Sequence, residues 1–175
     1  MIEIALARSR APDQANRKGS VFLSFGGPGG RAVDSVQRGF GQTLSARLNN
    51  QFDVIGFDPR GVGESTPLQC WDSDEQREAD VAGLPALPFR RDQEQPYYDK
   101  ASSIGPRCFG RKQRIVEHMS TADVARDLDL LREAVGDKQL TYLGFSYGSV
   151  LGSTYANLFP DKVRALVIDG VVDPR

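Results

Sequence analysis

Cysteine and histidine are scarce in this sequence of 175 residues, which has two cysteines and one histidine. Two cysteines are too few for a disulfide-rich scaffold, and Cys70 and Cys108 lack the spacing of zinc ligands. The only histidine, His118, limits every catalytic mechanism that needs an imidazole base. This scarcity argues against a zinc site and leaves room for one disulfide at most.

The sequence also lacks a long apolar run and an excess of charge of one sign. Its 22 basic and 23 acidic residues give a formal net charge of −1 and include no basic block, which argues against a nucleic-acid-binding surface. No apolar stretch approaches membrane-spanning length, so no membrane partner is predicted. The opening residues, MIEIALARSRAP, are charged and lack the apolar core of a signal peptide. Met1 is interpreted as an internal residue of a longer chain or as a truncated start.

What the sequence does contain is an alternation of buried-type strands and helical patterns. Short apolar runs, typical of strands covered on both faces of a parallel sheet, predict strands at 21–25, 53–58, 140–145 and 163–170. The patterns between them predict helices at 32–48, at 121–135 and from Tyr147 to about Leu158. The first helix is expected to be interrupted at Gly39 and Gly41, and the second to begin at Ser120 and end at Gly136. This order of elements predicts a doubly wound α/β fold with a mostly parallel sheet.

Residues 66–118 interrupt this alternation. The stretch is rich in proline and charge and shows little periodicity, so it is predicted to be a long excursion between a strand and the helix that returns to the sheet. Cys70 and Cys108 lie towards its two ends. The residues alone leave two alternatives open: a disulfide that closes the excursion, or two unpaired thiols of which at least one is buried.

A cluster of glycines, Gly26-Gly27-Pro28-Gly29-Gly30, follows the first strand. Read from Gly27, it matches the G-x-G-x-x-A fingerprint of dinucleotide-binding proteins. That fingerprint requires an acidic residue about 20 positions later, whereas Asp58 lies well beyond that distance, and Pro28 removes a backbone donor. An oxyanion-hole loop fits better, because glycines let backbone N–H groups approach a substrate carbonyl closely. A purely structural turn is the remaining alternative.

Residues 144–148, Gly-Phe-Ser-Tyr-Gly, match G-x-S-x-G, the sharp turn that presents a nucleophilic serine between a strand and a helix. The apolar run before Ser146 and the helical pattern after it are the context that this motif requires. The pattern predicts Ser146 as a nucleophile, with the N–H groups of Tyr147 and Gly27 as oxyanion-hole donors. Asp58 and Arg60, in the loop after the second strand, are predicted to tie that loop together rather than to catalyse.

Five motifs in this order resemble the secreted tripeptidyl-aminopeptidase and proline-iminopeptidase-like group of α/β-hydrolase serine peptidases. They are FGGPGG, FDPRGVGEST, HMSTADVARDLDLLREAVG, LGFSYGSVLGSTYANLFPDKV and VIDGVVDP, and the resemblance extends from about residue 4 to residue 174. Phe25 stands where the iminopeptidases have histidine, which favours the tripeptidyl branch.

The resemblance implies an exopeptidase that releases short peptides from the free N-terminus of a peptide substrate, through an acyl-enzyme on Ser146 and without a metal or other cofactor. Many members of the group are exported, which implies a secreted or cell-envelope protein. Cysteines that flank the excursion are typical of the group, which implies a disulfide between Cys70 and Cys108.

The triad of this fold runs in the order serine, acid, histidine, and the last two would follow strands beyond residue 170. Residues 1–175 are therefore interpreted as the N-terminal part of an α/β-hydrolase domain, whose cap and C-terminal part would be a missing partner. His118 precedes Ser146, and Asp169 and Asp173 come too early for the triad acid, so the chain is expected to be inactive alone. The alternatives are a non-catalytic binding or scaffold module and an esterase-type hydrolase of the same fold.

Overall fold

The computed structural model describes residues 1–82, 87–111 and 113–173. The chain divides into two units: residues 1–67 together with 119–175, called the sheet unit, and residues 68–118, called the helical unit. Residues 83–86 and 112 of the predicted excursion, and residue 174 at the end of the last motif, lie outside the described residues.

Five strands form one mixed sheet in the sheet unit. They are β1 (Leu6–Ser9), β2 (Gly19–Ser24), β3 (Phe52–Phe57), β4 (Leu140–Phe145) and β5 (Val163–Asp169). The order across the sheet is β1-β3-β2-β4-β5, with β1 antiparallel to β3 and all other neighbours parallel. The four predicted strands are confirmed as β2 to β5, whereas β1 was not predicted.

The register of the sheet brings three loops together at the carboxyl ends of the parallel strands. Leu23 of β2 lies opposite Gly56 of β3 and Leu143 of β4, so the carboxyl ends of these parallel strands are level. The loops that follow them contain the glycine cluster, Asp58 and Ser146. Binding sites in open α/β sheets lie at this end of the strands.

In the part of the chain that the structure describes, six α-helices accompany the strands. In chain order they are α1 (Val33–Ser35), α2 (Gly41–Arg47), α3 (Asp74–Val81), α4 (Arg91–Gly110), α5 (Thr121–Ala134) and α6 (Tyr147–Leu158). A π-helical turn, Val36–Phe40, joins α1 to α2, and the chain breaks helical geometry there at Gly39, with φ 106°. Gly41 keeps a helical φ of −61°, so the expected interruption is confirmed at Gly39 and wrong at Gly41.

Helices cover both faces of the sheet. On one face α5 and α6 enclose the larger core, which comprises Phe22, Ile55, Phe57, Val124, Ala125, Leu128, Leu131, Leu140, Tyr142, Leu151 and Tyr155. On the other face, Val33 of α1 and Val36 of the π-helical turn bury Ala7, Leu23 and Val54. The two-sided coverage confirms the doubly wound α/β fold.

The predicted ends of α5 and α6 agree with their local chemistry. The Ser120 hydroxyl accepts a hydrogen bond from the N–H of Asp123 at 3.1 Å, which caps the start of α5. Gly136 follows the end of α5 with φ 83°, a conformation that a residue with a Cβ atom rarely adopts. Pro160 comes directly after Phe159, where α6 has ended.

The helical unit contains α3, α4 and a short 3₁₀ turn, Arg114–His118. Cys70 and Cys108 form a disulfide, so the alternative of two unpaired thiols is wrong. Asp80 of α3 accepts hydrogen bonds from Trp71 at 3.0 Å and from Lys100 of α4 at 2.7 Å. Along α4, which is described throughout, Cys108 is the one buried residue. No helix in the described ranges is long and apolar enough to cross a bilayer.

Candidate active site

Ser146 forms a single-residue turn between β4 and α6. β4 ends at Phe145 and α6 begins at Tyr147, and between them Ser146 has φ 53° and ψ −123°. A positive φ is rare for a residue with a Cβ atom, and such strained backbones cost about 1–3 kcal/mol and persist only where the surroundings hold them. The Ser146 side chain is exposed, and its hydroxyl has no hydrogen-bond partner among the described residues.

Two glycines beside Ser146 let α6 approach the sheet closely, Gly144 at β4 and Gly148 at β2. A Cβ atom added to Gly144 would lie 2.5 Å from the carbonyl oxygen of Gly148, and one added to Gly148 would lie 2.7 Å from the carbonyl oxygen of Ser24. Both contacts are with backbone atoms, which cannot move aside without disturbing the sheet or the helix. Glycine at positions 144 and 148 is therefore a steric requirement of the turn.

The glycine loop after β2 packs directly on this turn. A Cβ atom added to Gly26 would lie 2.4 Å from the carbonyl oxygen of Phe145 and 2.8 Å from the amide nitrogen of Tyr147. Gly27 follows with φ 105°, and the N–H of Gly30 donates to the carbonyl of Gly26 at 2.8 Å, which folds the loop back on itself. The predicted oxyanion-hole donors, Gly27 and Tyr147, thus lie on two segments in contact. Their catalytic roles stay predictions.

The end of β5 supports the turn from its other side. The N–H of Ser146 donates to the carbonyl oxygen of Asp169 at 2.8 Å. A Cβ atom added to Gly170 would lie 3.6 Å from the nitrogen of Ser146, so this glycine lies close to the backbone of Ser146. Asp169 therefore acts here through its main chain, a role that no sequence motif indicated.

Two tyrosines brace the residues around Ser146. The Tyr147 hydroxyl is hydrogen-bonded to the hydroxyl of Thr121, at the start of α5. The Tyr142 hydroxyl donates to the carbonyl oxygen of Gly148 at 2.8 Å. Burial raises the pKa of Tyr142 above its ordinary value, against a smaller opposite effect of a hydrogen bond with Ser24, so Tyr142 stays a protonated donor. Sequence reasoning missed Thr121 and Tyr142, since each fits an ordinary helix or strand pattern.

Three phenylalanine rings form an apolar wall where these segments meet. The ring of Phe25 stacks on Phe145 at 6.0 Å between centroids and meets Phe40 edge-on at 5.3 Å. Phe25 directly precedes Gly26, and Phe145 directly precedes Ser146. Because Phe40 remains 37% exposed, the wall has apolar surface left for a ligand to contact.

Asp58 is a structural carboxylate that joins the loop after β3 to the start of α1. One of its oxygens accepts the N–H groups of Ala32 and Val33 at 2.9 and 3.1 Å, and the other accepts the N–H of Glu64 at 3.1 Å. The predicted structural role is thus confirmed for Asp58.

Arg60 anchors the loop after β3 to a helix. It forms a two-pronged ion pair with Asp127 of α5, at 2.7 and 2.6 Å. The Asp127 carboxylate raises the pKa of Arg60 above its ordinary value, despite the opposing effect of burial.

A polar cavity of about 330 Å³ opens beside the glycine loop. Its lining carries both signs of charge and comprises Arg31, Val33, Asp34, Gln37, Arg38, Asp58 and Glu64. Arg38 is paired with Asp34 at 2.7 Å. Such a lining suits a polar group, or a group that carries both a positive and a negative charge, better than an apolar one.

His118 belongs to the helical unit, where it is exposed at the end of the 3₁₀ turn. Among the residues described, no group of three or more His, Cys, Asp or Glu side chains is arranged to hold a metal ion.

Comparison with known proteins gives one family match and a set of relatives. Residues 21–174 match the family model described as the alpha/beta hydrolase fold. The chain is 39% identical over 171 residues to serine protease Hip1 of Mycobacterium tuberculosis, covering 97% of this chain and 32% of that protein. It is 39% identical over 162 residues to the tripeptidyl aminopeptidase of Streptomyces lividans, covering 92% of this chain and 30% of that protein. These matches confirm the resemblance, and the chain spans about a third of the length of these curated relatives.

A similar arrangement occurs among solved structures. A putative epoxide hydrolase from Pseudomonas aeruginosa superimposes with a TM-score of 0.54 over 98% of this chain and 38% of its own, at 18% sequence identity. At that identity the similarity establishes the fold alone.

Proposed function

Because this chain belongs to the α/β-hydrolase fold family, we propose that it supplies the nucleophile and the oxyanion hole of a serine peptidase. The observation that carries the proposal is the strained turn at Ser146, with Gly26 packed against the amide nitrogen of Tyr147. The similarity to serine protease Hip1 and to the tripeptidyl aminopeptidase favours a peptide over other acyl substrates.

In the proposed reaction, the Ser146 hydroxyl attacks the carbonyl carbon of a peptide bond. The N–H groups of Tyr147 and Gly27 donate to the carbonyl oxygen as it becomes negative, and the N-terminal end of α6 adds a favourable field. A general base takes the hydroxyl proton and passes it to the departing amine, which leaves an acyl group on Ser146. Water then hydrolyses this ester and restores the hydroxyl.

We place the general base and the acid that orients it in a further portion of the same enzyme, which would act as the partner of this chain. Two observations support this placement. The curated relatives are about three times as long as the chain. In α/β hydrolases the acid and the histidine follow the nucleophile along the chain, whereas the only histidine here, His118, precedes Ser146. The 175-residue chain by itself is then expected to react slowly at Ser146.

The proposed substrate is a peptide with a free N-terminus, from which short peptides are released. The mixed charge of the cavity beside the glycine loop supports a substrate with charged groups. The disulfide between Cys70 and Cys108 supports a secreted or cell-envelope location, because such bonds persist in oxidising compartments.

The test measures reactivity and substrate choice on the protein produced at its natural length from the gene that encodes this sequence. A fluorophosphonate probe should label Ser146, and a tripeptide p-nitroanilide with a free amine should be cleaved. The same peptide with an acetylated amine should be a poor substrate. Ser146→Ala should abolish both reactions, whereas Ser153→Ala, an exposed position on the same helix, should leave them unchanged.

Three outcomes would overturn parts of the proposal. Cleavage of p-nitrophenyl esters but of no peptide would assign an esterase. Absence of both labelling and cleavage would favour a non-catalytic binding module. Rapid labelling of Ser146 in the 175-residue chain alone, lost on His118→Ala, would make His118 the base.

A further inference from the structure

Ser149, in the first turn of α6, has contacts that the G-x-S-x-G motif does not account for. Ser149 is buried, with 1% of its surface exposed. Its N–H and its hydroxyl both donate to the carbonyl oxygen of Ser146, at 2.8 and 2.6 Å. The same hydroxyl accepts the N–H of Val172 at 3.0 Å. One buried hydroxyl therefore joins the backbone of Ser146 to the segment that follows β5.

That segment holds Ser146 from both sides. The N–H of Ser146 donates to the carbonyl oxygen of Asp169, and the carbonyl of Ser146 is linked through Ser149 to Val172. Gly170, with φ 63°, turns the chain between these two points of attachment. These hydrogen bonds and the chain between Asp169 and Val172 close a ring that contains Ser146, the residue with the strained backbone.

The carbonyl of Ser146 belongs to the same peptide unit as the N–H of Tyr147. Because a peptide unit is planar and trans, its C=O and N–H point in opposite directions, and fixing one fixes the other. The Ser149 hydroxyl, together with the Ser149 N–H, therefore fixes the direction of the Tyr147 N–H, which is the proposed oxyanion-hole donor. A donor contributes to catalysis only when it points at the position of the developing oxyanion.

We propose that Ser149 is a positioning residue, which aims the Tyr147 N–H by holding the Ser146 carbonyl and which couples this peptide unit to residues 170–172. The inference rests on the proposed function, since it assigns a role within the same reaction. It extends the site beyond the motif to a hydroxyl that does not contact the substrate.

The first experiment tests the hydrogen-bond ring without reference to activity. Amide hydrogen exchange of the protein at its natural length is measured by mass spectrometry, resolved to the Val172 amide, in the wild type, in Ser149→Ala and in the matched control Ser153→Ala. Loss of the acceptor should speed exchange of the Val172 amide by about fivefold in Ser149→Ala, because a lost hydrogen bond of about 1 kcal/mol allows more frequent opening. Ser153→Ala should exchange like the wild type. An unchanged Val172 amide in Ser149→Ala would overturn the coupling.

The second experiment tests positioning in the protein at its natural length. Ser149→Ala should lower kcat for the tripeptide p-nitroanilide by on the order of tenfold with KM nearly unchanged, because an oxyanion-hole donor acts in the transition state rather than on bound substrate. The pH at which activity rises should stay the same, since the general base is untouched. Ser149→Thr keeps the hydroxyl and should retain more activity than Ser149→Ala.

The outcomes separate this inference from the proposed function. An inactive, unlabelled wild type would overturn the proposed function and with it the catalytic role of Ser149, while the exchange data would still report on the ring. A reactive wild type with an equally reactive Ser149→Ala variant would overturn the positioning role alone. A rise in KM with unchanged kcat would also contradict it, because it would assign Ser149 to substrate binding.

Discussion

At the scale of single residues, the buried carboxylate of Asp53 shows how charge stabilises the sheet unit. It pairs with Arg8 and, at 2.6 Å, with Arg17, and it accepts the N–H of Ala11 at 2.7 Å. Burial by itself would raise its pKa, but the hydrogen bonds from Ala11, Arg17 and Arg8 and the charge of Arg17 lower it from 3.8 to about 2. The folded state therefore binds this proton more weakly than the unfolded state does.

The lowered pKa predicts an acid-dependent loss of stability. Asp53 contributes about 2 kcal/mol to the free energy of unfolding above pH 4, where it is ionised in both states. That contribution is lost as the pH falls from about 4 towards 2, because the folded carboxylate must then be protonated. Urea unfolding of the wild type and of Asp53→Asn should differ by this amount at pH 7, and the difference should shrink below pH 4.

The matched control for Asp53 is Asp161→Asn, at an exposed aspartate. It should change the free energy of unfolding by less than about 0.5 kcal/mol at either pH. A difference between wild type and Asp53→Asn that stays constant from pH 7 to pH 2.5 would contradict the role given to this carboxylate.

At the scale of helices and strands, two glycines predict opposite effects of the same substitution. Gly148 lies in α6 against the backbone of Ser24, whereas Gly110 ends α4 with open space where its Cβ atom would be. Gly148→Ala should destabilise the fold by more than about 1 kcal/mol, since a contact of 2.7 Å with a carbonyl oxygen has to be relieved. Gly110→Ala should be neutral or stabilising by up to about 1 kcal/mol, because alanine is the better helix former. Thermal unfolding of both variants tests the contrast, and equal melting temperatures would contradict it.

The outer edge of β5 predicts self-association of the 175-residue chain. β5 pairs with β4, and no described strand pairs with its other edge, where Val167 is 58% exposed. Exposed apolar strand edges tend to pair with one another. Light scattering at micromolar concentration should show oligomers, and Val167→Lys should reduce them. Leu130→Lys, at a 63% exposed position on α5, removes apolar surface that lies away from this edge. This variant should not reduce the oligomers. A monodisperse wild type would contradict the prediction.

The elements that could be predicted from the sequence are those whose own pattern determines them. β2 to β5, α5 and α6 each carry a continuous apolar run or an amphipathic face with a cap. β1 escaped prediction because its inward residues are the small Ala7 and Ser9, and its structure depends on pairing with β3. α4 escaped because it contains two prolines and buries Cys108 alone among its described residues, so it shows no apolar period.

The candidate site divides in the same way. The sharp turn at Ser146 and the glycine loop could be predicted, because each lies within one short motif at the end of a strand. The Ser149 contact with Val172 could not, since it joins residues from two separate segments and depends on where β5 ends. The same holds for Thr121, which meets Tyr147 through the packing of α5 beside α6.

At the scale of the whole molecule, the division into two units predicts that the disulfide stabilises only one of them. The bond between Cys70 and Cys108 closes a loop of 38 positions within the helical unit, and in the chain-entropy model such a bond contributes about 4 kcal/mol. Among the described residues of this unit, α3 buries none and α4 buries Cys108 alone, so little apolar packing compensates for the loss of the bond. Reduction should therefore make residues 68–118 sensitive to limited proteolysis, while the sheet unit stays intact.

A variant with Cys70→Ala and Cys108→Ala should give the digestion pattern of the reduced protein without any reductant. Intact mass before and after alkylation should show no free thiols in the oxidised wild type. A digestion pattern that does not change on reduction would contradict the conclusion that the disulfide stabilises the helical unit. Cleavage that spreads equally to the sheet unit would contradict the conclusion that it stabilises this unit alone.

The strained backbone of Ser146 also has a consequence for how this fold would behave in a saturation-mutagenesis library. Scored by turnover, positions 146 and 148 would look alike, since both would reject almost every substitution. Scored by the abundance of folded protein, they would separate: Gly148 would still reject side chains for steric reasons, whereas position 146 would favour replacement. Ser146→Gly, the change that removes the cost of a positive φ, would accumulate above the parent sequence. In such a screen, the proposed nucleophile would be the position at which selection for folded protein favours glycine and selection for turnover favours serine.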